Sequence, residues 1–227
     1  MSGSRVRIPV NGREIDAYLS PAAGGTGPGV IVIQEWWGLV PHIEELCDRY
    51  ASQGFTALSP DLYHGESTKS PDEAGKLMMA LEIDETEKDL RSAVGFLLAH
   101  SACTSQTVGT VGFCMGGMLS LFAAGASPNE VSACIDYYGI HPNVHPDFAA
   151  MRAPVLGFFG AQDPMVTPDT VAALETTIRA AGREVEFHTY ADAGHAFFND
   201  TRPDAYHAES AADTWKRAIE FFGAHVK

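Results

Sequence analysis

The 227-residue chain reads as an α/β fold, a mostly parallel central sheet with helices on both faces. Three observations predict this. Val30–Ile33 is an unbroken apolar run, the mark of a strand buried on both faces. Along the chain, β-branched apolar segments alternate with stretches of helical periodicity, the pattern of βαβ units. Between them lie Gly, Pro and Asn-Gly turns but no linker, so a single domain over residues 1–227 is expected.

Taken in order, Arg5–Val10 and Glu14–Leu19 alternate apolar and polar residues around Asn11-Gly12 and predict an antiparallel hairpin. Gly24–Gly29 is a loop before the Val30–Ile33 strand. Ile43–Ser52 has helical periodicity, closed by Gly54. Phe55–Leu58 predicts a strand ending at Ser59-Pro60-Asp61, followed by a loop to Pro71. Asp72–Leu81 and Glu85–His100 predict helices; the acidic Asp84–Asp89 stretch reads as a solvated helix start. Thr107–Phe113 predicts a strand and Met115–Ala126 a helix. Val131–Tyr138, Pro154–Phe159 and Val185–Tyr190 predict the remaining strands, Thr170–Ala181 and Asp204–His225 the remaining helices.

A formal net charge of −14 argues against nucleic acid and anionic membrane surfaces as partners. No apolar run reaches the roughly 18 residues of a membrane span, and Met1–Arg5 lacks the apolar core of a signal peptide. The four cysteines, Cys47, Cys103, Cys114 and Cys134, have no CxxC spacing. Free thiols in a reducing cytoplasm are therefore expected, with Cys47 and Cys134 structural and Cys103 on a surface loop. His141 and His145 lie in a Pro-broken loop without an adjacent acidic ligand and read as solvated. No metal and no cofactor are expected.

Ligands of such sheets bind at the carboxyl ends of the strands. Four reactive residues fall there: Glu35, Cys114, Asp163 and His195. Gly112-Phe113-Cys114-Met115-Gly116 has the layout of a nucleophile elbow, with cysteine where serine is usual. The order nucleophile, acid, histidine is that of α/β-hydrolases. The chemistry fits: a helix start favours thiolate at Cys114, His195 can exchange the proton, and Asp163 can fix the His195 tautomer. An oxyanion would find the Met115 N–H after the nucleophile and, after the first parallel strand, the Trp36 N–H. Trp37, Tyr63, Phe113, Phe197 and Phe198 are candidate walls of a substrate pocket.

These segments also carry a resemblance. Val32–Gly38, Ser59-Pro60-Asp61-Leu62-Tyr63, Gly112–Gly117, Gly160–Pro164 and Ala193–Phe197 together resemble the dienelactone hydrolase family over essentially the whole chain. The resemblance implies an α/β-hydrolase fold with Cys114, His195 and Asp163 as triad. It also implies a Glu35 that contacts the resting thiol and moves when substrate binds. The activity implied is hydrolysis of five-membered enol-lactones bearing a carboxylate. The best-known members hold that carboxylate with two arginines; the matching positions here are Asn199 and Pro71 or its neighbours, with Arg202 and Arg91 the nearest arginines. A neutral ester or lactone is therefore expected, bound by a monomer or small homo-oligomer. The alternative is a catalytically retired fold used for ligand binding or thiol redox sensing.

Overall fold

The computed structural model describes residues 3–227. One eight-stranded sheet runs through it: β1 (Ser4–Val10), β2 (Arg13–Ser20), β3 (Gly27–Ile33), β4 (Thr56–Pro60), β5 (Cys103–Phe113), β6 (Val131–Tyr137), β7 (Val155–Gly160) and β8 (Val185–Tyr190). The spatial order is β1-β2-β4-β3-β5-β6-β7-β8. The hairpin β1–β2 and the β2–β4 pair are antiparallel, and the other pairs are parallel.

Six helices cover the sheet: α1 (Pro41–Ser52), α2 (Pro71–Met79), α3 (Ile83–Ala99), α4 (Met115–Ala126), α5 (Pro168–Ala180) and α6 (Ala208–His225). The period-2 alternation of a strand divides the core between two layers. In β3, Ile31 and Ile33 pack with Leu90, Leu97, Leu119 and Leu121 of α3 and α4. Val30 and Val32 face the opposite layer with Ile43, Leu46 and Tyr50 of α1 and Phe222 of α6. Both faces of β3 are thus dry, as its apolar run requires.

Four local expectations are corrected. Cys103 opens β5, which is longer than its apolar run suggests. Residues 204–207 are not helical, and α6 begins at Ala208 with His207 as N-cap, its Nδ1 accepting from the Ser210 N–H. His141 is buried: its Nδ1 accepts from the Asn143 N–H at 3.1 Å and Nε2 meets the Met78 carbonyl at 3.1 Å. Asp89 is 1% exposed, bound to Arg13 at 2.6 Å and His64 at 2.7 Å. Arg13 comes from the hairpin and covers what periodicity alone assigns to solvent. Removing the carboxylate leaves Arg13 and His64 without it, so Asp89→Ala is expected to cost about 2–3 kcal/mol in urea unfolding, towards the low end for a buried ion pair because Arg13 stays partly wet. A loss under about 0.5 kcal/mol, the size of an ordinary surface change, would show the cluster to be incidental.

Candidate active site

The candidate nucleophile stands on strained backbone. Cys114 is the residue between β5 and α4, with φ 55° and ψ −121°. Such a conformation costs a non-glycine residue on the order of 1–3 kcal/mol and needs surrounding bonds to hold it. Cys114 N–H donates to the Tyr137 carbonyl at 3.0 Å, and its carbonyl accepts from Gly117 at 2.9 Å and Ile140 at 3.2 Å. The turn is also close-packed. A side chain at Gly112 would collide with the Gly116 carbonyl, and one at Gly116 with the Gln34 carbonyl at the end of β3. The first N–H groups of α4, Met115 among them, have no intrahelical acceptor and lie beside Cys114.

The candidate base and acid come from the ends of β8 and β7. His195 Nδ1 and Asp163 Oδ2 are 2.7 Å apart. Asp163 is fixed in turn: its Oδ1 accepts from the N–H groups of Met165 at 2.7 Å and Val166 at 3.0 Å. His195 Nε2 is buried and has no hydrogen-bond partner among the described residues. Burial pulls the imidazole down, but Asp163 and the neighbouring Cys114 outweigh it and lift His195 to about 10. Cys114 therefore lies near enough to act on the charge of His195. The histidine loop is pinned by aromatic packing, Phe198 on Phe113 (5.4 Å between centroids) and on Tyr137 (4.9 Å), and Phe197 on Tyr138 (5.4 Å).

Glu35 is 2% exposed and accepts from Asn199 Nδ2 at 2.8 Å. The Asn199 amide has one orientation, because its Oδ1 accepts from Thr201 N–H at 3.0 Å and Oγ1 at 2.6 Å. Burial pushes the Glu35 carboxyl up; Asn199, His195 and Arg202 act in the opposite direction. The partner of this carboxylate is thus an amide and not an arginine.

Beside Glu35 and Asn199 opens a cavity of about 560 Å³ whose wall includes Trp37, His42, Lys69 and Arg202. Among the candidate wall residues, Trp37 lines it. Trp36 is half-buried and meets Trp37 edge to face at 5.1 Å. Tyr63 is buried away from this cavity and donates to Met115 Sδ at 3.2 Å. Phe113, Phe197 and Phe198 are fully buried in the layer shared with α1 and α6, outside the cavity wall. For Phe113 the reason is the alternation of a strand, since the residue before Cys114 points to the opposite side; Phe197 and Phe198 leave the histidine loop together into the same aromatic layer. Lys69, His42 and Thr201 were missed by sequence reasoning, which had no local signal for them. Among the described residues no three His, Cys, Asp or Glu side chains gather as a metal-binding group, and no helix is long and apolar enough to cross a membrane.

A parallel sheet with a nucleophile turn, an acid turn and a histidine loop at its carboxyl edge defines an α/β-hydrolase. The dienelactone hydrolase family model matches residues 15–226, and the chain belongs to that family. "Protein usf" of Aquifex pyrophilus is 34% identical over 99% of each chain. "Putative carboxymethylenebutenolidase" of Aquifex aeolicus is 31% identical, covering 99% of this chain and 100% of that one. A crystal structure of a "Putative Dienelactone Hydrolase" from Klebsiella pneumoniae superposes with a TM-score of 0.87 at 31% identity, covering 97% of this chain and 98% of that one.

His195 is held well above its ordinary 6.5. The stability contributed by its charged form is complete below pH 6.5 and is lost as pH rises through about 10. Asp163→Asn should therefore show a deficit of about 2 kcal/mol in urea unfolding at pH 6 that narrows by pH 10. An equal deficit at both pH values would contradict the pairing.

Proposed function

We propose that the chain hydrolyses small carboxylic esters or lactones through a thioester on Cys114. The observation that carries this reading is the buried, unpartnered Nε2 of His195, oriented by Asp163 and next to a cysteine at a helix start. Cys114 Sγ attacks the carbonyl carbon, and the tetrahedral oxyanion draws on the N–H groups of Met115 and Trp36. As the C–O bond breaks, His195 protonates the leaving oxygen. A water then gives its proton to His195 and its oxygen to the thioester carbon, and the C–S bond breaks to release the acid and restore the sulfur.

Glu35 lines the cavity with Asn199 and feels the charge of His195, which supports a role for Glu35 in restraining the resting thiol. The cavity bears on substrate charge. Lys69 and Arg202 both line it, and Glu35 is pushed toward neutrality. This rim favours an ester or lactone carrying an anionic group away from the scissile bond. The expectation of a neutral substrate rests on positions 71 and 199 and on the overall acidity; the cavity wall supports the anionic reading instead. The name carried by the Aquifex aeolicus relative, carboxymethylenebutenolidase, agrees with such a substrate.

Two measurements test the reading. Hydrolysis of p-nitrophenyl acetate should fall about a thousandfold or more in Cys114→Ala and stop on thiol alkylation; full activity in the variant rules the thioester out. Lys69→Ala and Arg202→Ala should each raise KM about tenfold for a carboxylated ester, the loss of one charge-assisted contact, while leaving a neutral ester unchanged. Equal effects on both esters would remove the anionic group from the proposal.

A further inference from the structure

One buried acid has no part in the chemistry above. Asp136 lies at the carboxyl end of β6, is 0% exposed, and neither of its carboxylate oxygens has a hydrogen-bond partner among the described residues. Its register partner across the sheet is Gly112, two residues before Cys114. Its Oδ1 occupies the space that a side chain on either Gly117 or Gly139 would need. Gly117 belongs to the first turn of α4 and donates its N–H to the Cys114 carbonyl. The carboxyl is therefore seated under the helix end that carries Cys114. A group that only filled space here would be apolar, because a buried carboxyl without partners is costly.

No cation faces it. Neither α4 nor β7 contains a titratable side chain, and β5 carries only Cys103, at its far end. β6 itself adds Cys134 on the same face and Tyr137 on the other, and the loop beyond adds Tyr138 and His141. Burial raises the Cys134 thiol, and Asp136 raises it further. Burial pushes Asp136 up to about 7, with the nearby Gly139 N–H acting against it.

We propose that Asp136 is a positioning residue for the nucleophile: its carboxylate, seated under the first turn of α4, competes with the Cys114 sulfur for that helix end, while His195 favours the reactive sulfur from the other side. The inference rests on the reading of Cys114 as nucleophile. The physics is a competition. The N-terminal end of a helix offers roughly half a positive charge, and two acids lie against it. While Asp136 is protonated, the sulfur has that end to itself. Once Asp136 ionises, it shares the end and repels the thiolate through a dry interior.

The test is the pH dependence of iodoacetamide labelling at Cys114, read by mass spectrometry of the Cys114 peptide, in the wild type and the isosteric Asp136→Asn. The variant should label about three- to tenfold faster at pH 8, the size expected for one like charge removed across a partly screened interior. Its profile should reach half-maximum at lower pH, with the hydrolysis profile moving the same way. Superimposable profiles overturn the proposal. So does a variant that only melts earlier, since a packing role predicts that result. A second measurement needs no substitution. Coupling is reciprocal, so labelling Cys114 in the wild type should move the infrared titration of the buried carboxyl to lower pH; an unmoved band overturns the proposal. Labelling reads the sulfur itself, so a failure of the nucleophile reading appears separately, as hydrolysis retained in Cys114→Ala.

Discussion

The close approach of α4 to the end of β3 is the constraint on which the rest depends. The Gly116 turn touches the Gln34 carbonyl and the Gly112 backbone, and this contact leaves Cys114 no relaxed conformation. The strain is held by three backbone hydrogen bonds to β6 and the residues around it. Because β3, β5 and β6 are paired in parallel register, the elbow, Glu35 and Tyr137 share one edge of the sheet. Any loosening at that contact would move all of them together.

Packing rather than polarity places the histidine. Two consecutive phenylalanines after Ala196 enter the aromatic layer of Phe113, Tyr137, Tyr138 and Trp215. Arg49 lies over Phe198 at 5.1 Å and over Trp215 at 4.7 Å. The loop thus gains stability from apolar area and a cation–π contact, which leaves the imidazole itself free of structural duties beyond Asp163. The charge arrangement is equally divided. A chain of net charge −14 keeps two of its cations, Lys69 and Arg202, on the wall of one cavity beside Glu35, and keeps Asp136 and Asp163 dry in the interior.

How much of this was legible depended on how local the signal is. Val30–Ile33 and Gly112–Gly116 are contiguous, and burial on both faces or a tight turn leaves its mark on adjacent residues. The strand ends before Asp163 and His195 were legible for the same reason. The cavity was not: Lys69 and Arg202 meet only because the loop before α2 and the loop before α6 converge. Asp89 read as solvated because Arg13 arrives from 76 residues away, and His141 because its partner is a carbonyl of another helix. Phe113 and Phe198 resemble pocket walls by their neighbours in sequence, whereas strand alternation turns Phe113 into the core and aromatic packing draws in Phe198. Asn199 was visible as a departure from the family pattern, but its tie to Glu35 and Thr201 exists only in three dimensions.

Cys114 is 4% exposed. Thiolates climb the oxidation ladder according to their exposure and ionisation. A sulfur this deeply enclosed meets a diffusing oxidant only when the packing around it opens, so its lifetime under oxidative stress depends on that opening as well as on its own reactivity.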